Sequence, residues 1–302
     1  MRFTIFQDSL VGDRSGNEDR VGYAYGKDTL LMVIADGMGG HEKGEVAAEI
    51  AVQEVTRRFK VEARNRLKRP FEFLVSSIQA AHRAIVAHAD QHNLLECPRT
   101  TCVACVVQNG YAYWAHAGDS RLYVLRGGRL LTQTQDHSKV QQMIDAGQIT
   151  AEQAARHPDR NKIFSCLGGV VPPHIDMGRE IRLENGDTIV LSTDGFWAQI
   201  PAAAVAQMLT RQSLTSLMPG LLAEAHRRAQ GESDNITVVA MTWENQEDAS
   251  VADTQMLGEE EFATSTNTTQ PLGIGGPHDD VTDDDIERAI AEIQSAIKKV
   301  PR

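Results

Sequence analysis

The chain has 302 residues, 41% hydrophobic and 24% charged, ordinary proportions that allow one large domain or two small ones with a sizeable core. No apolar run approaches the ~20 residues needed to span a bilayer, and four cysteines are too sparse for a disulfide scaffold, so a soluble protein of the reducing cytoplasm is expected. The net charge of −11 belongs to the tail: Glu244 to Arg302 carries 14 acidic and 4 basic residues, leaving 27 acidic and 26 basic before it, without the basic field of a nucleic-acid binder.

The N-terminal stretch lacks a small-residue cleavage pattern and reads as a first strand, Phe3–Ser9. Strands at Val21–Tyr25 and Thr29–Ala35 follow. Two helices come next. Glu45–Phe59 spaces Val46, Ile50, Val55 and Phe59 helically, and Phe71–His92 does so with Leu74, Ile78, Ile85 and Ala89. Four short strands are then expected at Thr101–Val107, Tyr111–His116, Arg121–Leu125 and Leu130–Thr134. Asn109-Gly110 and Gly127-Gly128 supply hairpin turns, which predicts an antiparallel meander. Ser138–Ala146 and Ala151–His157 read as short helices, with Gly147 stopping the first and Thr150 capping the second. Strands Ile175–Leu183 and Thr188–Ser192, helices Pro201–Leu209 and Ser213–Gln230, and a last strand Ile236–Trp243 complete the pattern. Hairpins with paired helices predict an α+β fold of antiparallel sheets covered by helices. Residues 244–281 read as an acidic flexible linker.

Five acidic segments carry the chemistry: Arg14-Ser15-Gly16-Asn17-Glu18-Asp19, Asp36-Gly37-Met38-Gly39-Gly40-His41, Gly118-Asp119-Ser120-Arg121, Thr193-Asp194-Gly195 and Ser233-Asp234-Asn235. A hydrophobic strand ending in Asp-Gly places a carboxylate at the end of a sheet. Carboxylates converging there repel one another unless cations intervene. All-oxygen ligand sets suit Mg²⁺ or Mn²⁺ rather than zinc. Arg14 offers a planar fork for phosphate oxygens. One Asp-Gly alone is a turn signal; five such segments in this order are a pattern.

The joint pattern RSGNED, DGMGG, GDSR, TDG and SDN resembles the PP2C-type (PPM) serine/threonine phosphatases in their bacterial form, over about residues 3–243. The resemblance implies a four-layer α/β/β/α sandwich for residues 1–243, with residues 136–170 as a variable flap. It implies two or three Mn²⁺ or Mg²⁺ ions. Asp36 would bridge two of them, the Gly37 carbonyl and Glu18 would serve the second, Asp194 and Asp234 the first, and Asp119 with Asp194 a third. Arg14 would hold the phosphate. The implied reaction is hydrolysis of phosphoserine and phosphothreonine on proteins by a metal-activated water, reversing a bacterial Ser/Thr kinase. The alternative is a regulatory module of the same fold acting through its tail; the intact acidic set favours catalysis. Many eukaryotic relatives place a histidine where this chain has Met38, which cannot donate a proton. The general acid is then His41 or a metal-bound water.

Cys102 and Cys105 form a CxxC, but three residues apart on a strand they face opposite ways and read as packing residues. Gly37–Gly44 lacks the Lys-Ser/Thr of a P-loop. At the C-terminus, Thr282 with Asp285 opens a capping-box-like start. Ile286, Ile290, Ile293, Ile297 and Val300 then form one apolar stripe, predicting an amphipathic helix over 282–302 that docks on the phosphatase's own surface, a partner protein or a second copy. Thr254, Thr264, Thr266, Thr268 and Thr269 are candidate phosphorylation sites.

Overall fold

The computed structural model describes residues 1–38, 43–63, 66–244 and the backbone of 263–267, all within the unit Met1–Thr268. The helix expected at 282–302, and Thr254, Thr268 and Thr269, lie outside the described residues.

Two antiparallel sheets face each other. The first orders its strands β1 (Arg2–Leu10), β12 (Ile236–Glu244), β11 (Thr188–Ser192), β7 (Arg121–Arg126) and β8 (Arg129–Gln133). The second runs β10 (Ile181–Arg182), β6 (Tyr111–Ala117), β5 (Cys102–Gln108), β3 (Thr29–Met38), β2 (Asp19–Tyr25) and β13 (Ala263–Asn267). In it, β4 (Arg99–Thr100) pairs with β3, and β9 (Asp176–Met177) pairs with β6.

Strand β3 explains the layering. Its alternation sends Leu31, Val33 and Ala35 to one face and Leu30, Met32 and Ile34 to the other, and all six are fully buried. The first set packs under α1 (Gly44–Glu62) and α2 (Pro70–Gln91), against Val55, Phe59, Leu74 and Ile78. The second set fills the space between the sheets with Leu122, Val124, Ile189 and Met241. Each such side chain removed from water contributes about 1.5–3 kcal/mol. On the far side of the first sheet, α6 (Ala202–Leu209) and α7 (Leu214–Arg228) cover Val190, Val238 and Ala240 with Val205, Leu217 and Leu221. The α+β arrangement of two antiparallel sheets flanked by helices is the one expected. Cys102 belongs to the helix-side core and Cys105 to the inter-sheet core, and burial pushes the Cys102 thiol up to about 12.

Four features differ from expectation. The meander is divided: β5 and β6 pair in one sheet, β7 and β8 in the other. The chain changes sheets through Gly118, whose φ of +113° is reserved for glycine and whose missing Cβ leaves room for the Thr101 side chain. The strand expected at 175–183 is broken into β9 and β10: the pairing with β6 slips by one residue between Met177 opposite Ala115 and Ile181 opposite Ala112, and at Gly178 the Trp114 indole occupies the space a Cβ would need. After the flap helices α3 (Lys139–Asp145) and α4 (Ala151–Ala155), an unexpected one-turn helix, α5 (Asp194–Trp197), follows β11. Finally, within the stretch read as linker, residues 263–267 add β13 to the open edge of β2.

Candidate active site

The acidic segments meet where the two sheets end on one side. Asp19 and Asp36 are direct cross-strand partners at the last pair of the β2–β3 ladder. Thr101, between β4 and β5, fixes Asp36: its Oγ1 accepts the Asp36 amide at 3.0 Å, and its own amide donates to the Asp36 carbonyl at 2.9 Å. Gly37 has no room for a side chain, since a Cβ would stand 2.6 Å from the Glu18 carbonyl oxygen. Asp194 arrives at the end of β11, and Asp119 in the crossing between β6 and β7, where the Trp197 indole donates to its backbone carbonyl at 3.0 Å.

Asn235 organises the loop that carries Arg14 and Glu18. Its Nδ2 donates to the carbonyls of Val11 at 2.8 Å and Gly16 at 2.9 Å, while its Oδ1 accepts the Glu18 amide at 2.8 Å. Asp13 ties the same loop to the Ser233 amide at 2.8 Å. Arg14 reaches across to Asp234, Nη2 to Oδ2 at 2.8 Å, with its guanidinium open to solvent.

The result is a cavity of about 550 Å³ whose walls include Arg14, Glu18, Asp36, Gly37, Asp119, Asp194 and Asp234, every expected site residue among those described. His41 lies outside the described residues. Met38 lines the cavity with a thioether that has no proton to give. Asn161 and Ile163 of the flap close one side. Three residues not singled out beforehand belong here. Glu45, from the first turn of α1, adds a carboxylate to the wall, and Asn235 positions the loop. Asp19 sits behind Asp36, its Oδ2 accepting the Thr193 hydroxyl at 2.8 Å. Strand alternation could have separated Asp19 from Glu18: neighbours on a strand face opposite sides.

The electrostatics are those of crowded, buried carboxylates. Burial, then repulsion from Asp194 and Asp136, raises Asp119 to about 8. Burial, then the neighbouring Asp234, raises Asp194 to about 6. Burial raises Asp19 to about 7 and Asp36 well above its ordinary value, with Asp19 the leading repulsive neighbour of Asp36. Glu18 is raised by burial and by Glu45. Carboxylates this crowded fit divalent cations through oxygen donors, because positive charge removes the cause of the shifts. A second metal-capable group lies outside the walls of this cavity: His116, His137 and Asp176 offer ligand atoms within 4.8 Å of one another.

A helix-flanked antiparallel sandwich with carboxylates gathered at one rim is a metal-dependent hydrolase architecture. Comparison with known proteins specifies it. The family model "Protein phosphatase 2C" matches residues 8–236. A putative protein phosphatase 2C-type of Streptococcus pyogenes is 32% identical over 236 residues, covering 78% of this chain and 94% of the relative. Among solved structures, the S. agalactiae serine/threonine phosphatase superposes with a TM-score of 0.72 at 31% identity, covering 80% of this chain and 100% of that one. The catalytic domain of the serine/threonine protein phosphatase PstP, in complex with 2 manganese ions, gives 0.66 at 31% identity, covering 80% and 99%. The chain belongs to the protein phosphatase 2C family. Among the described residues no helix is long and apolar enough to cross a membrane.

Proposed function

We propose that the acidic cavity is the catalytic centre, binding two or three Mn²⁺ or Mg²⁺ ions and hydrolysing phosphoserine and phosphothreonine on proteins. The activity class follows from family membership: metal-dependent dephosphorylation of phosphoproteins. The observation that carries the assignment of the centre is that carboxylates from separate segments share one cavity and are held above their ordinary pKa range.

In this reading Asp36, Asp194, Asp234, Glu18, the Gly37 carbonyl and Asp119 would hold the ions, with Asp36 and Asp194 each shared between neighbouring positions. When bound, the ions supply Lewis acidity that activates a water for in-line attack on phosphorus. Arg14, at the cavity mouth, turns its fork from Asp234 to the phosphoryl oxygens and stabilises charge as it develops there. Asn235 keeps Arg14 and Glu18 in register with Asp36. Ile163 and Asn161 limit solvent and substrate access from the flap side. His41 is the candidate proton donor to the leaving serine or threonine oxygen, since Met38 is not one.

The phosphatase unit is assigned to residues 1–243 with the flap at 136–170, residues 244–281 to a linker, and residues 282–302 to a helix that docks on its own domain, a partner or a second copy. Substrates are phosphoproteins, including a cytoplasmic Ser/Thr kinase and its targets. The test is release of phosphate from p-nitrophenyl phosphate and from a phosphothreonine peptide, with and without Mn²⁺. Activity should require the cation and vanish in Asp36→Asn. Metal-independent activity, or full activity in Asp36→Asn, would overturn the assignment.

A further inference from the structure

The His116, His137 and Asp176 group is separate in position and in chemistry from the acidic cavity. His116 stands on β6, His137 opens the flap, and Asp176 on β9 is the cross-strand partner of His116 where the chain returns. The His116 and His137 rings stack with centroids 4.6 Å apart. His116 Nε2 donates to the Gln135 carbonyl at 2.8 Å, which leaves the lone pair on Nδ1. That Nδ1 is buried and has no hydrogen-bond partner. His137 Nε2 is also buried without one, although Asp176 Oδ2 stands 3.3 Å away. Both residues are more than nine-tenths buried, at 4% and 3% exposed. An unpartnered His116 Nδ1 is costly as it stands, and with His137 Nε2 and the carboxylate it is a ligand set if a cation joins them.

We propose that His116 Nδ1, His137 Nε2 and the Asp176 carboxylate form a transition-metal site of the zinc class that staples both ends of the flap to β6. Two imidazoles and one carboxylate favour Zn²⁺ or Co²⁺ over Mg²⁺, the reverse of the all-oxygen cavity. The fourth position is open to His174, whose Nε2 lies 2.9 Å from Asp176 Oδ1 and whose ring centre lies 5.2 Å from that of His137. The Gln135 carbonyl supplies the outer hydrogen bond that orients a ligating histidine. Coordination through His137 Nε2 moves the ring proton to Nδ1, so the long 3.3 Å contact from the Gly118 amide is given up. The consequence reaches the flap: residues 138–173 become a loop closed at its base by a metal in addition to the backbone bonds of His137 to Gly118 and of β9 to β6.

The test uses the full chain in excess Mg²⁺, so that hard-cation sites are loaded, and Co²⁺ as the spectroscopic probe. One equivalent of Co²⁺ should bind with visible d–d bands, be displaced by Zn²⁺, and persist in Asp36→Asn. Asp176→Ala and His137→Gln should each weaken it by about ten-fold or more. Trypsin cleavage within the flap, at Lys139, Arg156, Arg160 or Lys162, should slow on adding Zn²⁺ to the parent and not to Asp176→Ala. Asp176 is half-exposed, so that variant should melt with the parent in EDTA even where His137→Gln folds poorly. Absence of the bands, bands unchanged in Asp176→Ala, or bands lost in Asp36→Asn would each overturn the proposal. The last outcome would place the ion in the acidic cavity and leave the phosphatase reading intact.

Discussion

Replacing Asp194 with asparagine should strengthen the metal-free fold while abolishing catalysis. In the folded chain burial and Asp234 carry Asp194 from 3.8 to about 6. That difference corresponds to roughly 3 kcal/mol of unfavourable free energy once the group is ionised. The sign follows from the direction of the shift. A raised carboxyl favours the folded state below its unfolded pKa, and that contribution is lost as pH rises through about 6. The Asp194→Asn variant therefore gains little at pH 4 and most above pH 7. In a phosphatase unit of this size, about 3 kcal/mol corresponds to roughly 6–12 °C in melting temperature. Asparagine keeps an oxygen for the Gly195 amide that bonds Asp194, so the substitution tests charge and little else. Melting curves in EDTA between pH 4 and 8 would show the gap opening with pH. Saturating Mn²⁺ should close or invert it, because the cation then stabilises the parent alone. A variant no more stable than the parent at pH 8 in EDTA, or a gap independent of pH, would refute the claim that these carboxylates are held together against their own repulsion.

Other substitutions separate binding from architecture. Arg14→Ala should raise KM for phosphopeptides by about ten-fold or more and leave the melting temperature nearly unchanged, since the exposed pair with Asp234 is worth ~0–1 kcal/mol. Arg14→Lys should recover only part, lacking the planar fork. Asn235→Ala should cost about 1–3 kcal/mol in denaturant unfolding, through buried partners left unsatisfied, and should lower kcat as the Arg14–Glu18 loop loosens. Phe59→Ala, fully buried beside Phe73 with ring centres 6.1 Å apart, should cost roughly 3–5 kcal/mol and leave activity per folded molecule unchanged.

The strands and helices were legible because burial imposes periodicity. Thr188–Ser192 was read with its observed bounds, and most other elements within a few residues. The convergence of the acidic segments was legible because each sets its carboxylate at a strand end or turn, where one cavity gathers them. Sheet membership was not. Hydrogen-bonding tendency is local, whereas the switch of β7 into the first sheet depends on one glycine and the Thr101 side chain packed against it. The slip after Gly178 lies in the pairing with β6, more than sixty positions away, where the Trp114 indole leaves no room for a side chain. Asp19 and Asn235 stood within quoted motifs, but their work is done by partners distant in sequence: Thr193 for one, Val11 and Gly16 for the other.

Those long-range bonds also explain how an electrostatically unfavourable site is held in place. Thr193 donates its hydroxyl to Asp19 and accepts the Thr237 amide, joining β2 in one sheet to β12 in the other at the rim. Asn235, two residues before Thr237, binds the N-terminal loop to the start of β12. Repulsion among Asp36, Asp194 and Asp119 pushes the rim open; this hydrogen-bond network, continuous with two buried cores, resists it. The carboxylates are thereby preorganised for cations without needing them to define the fold. Cation removal should then abolish turnover well before it unfolds the domain, and circular dichroism in EDTA should retain the native sheet signal.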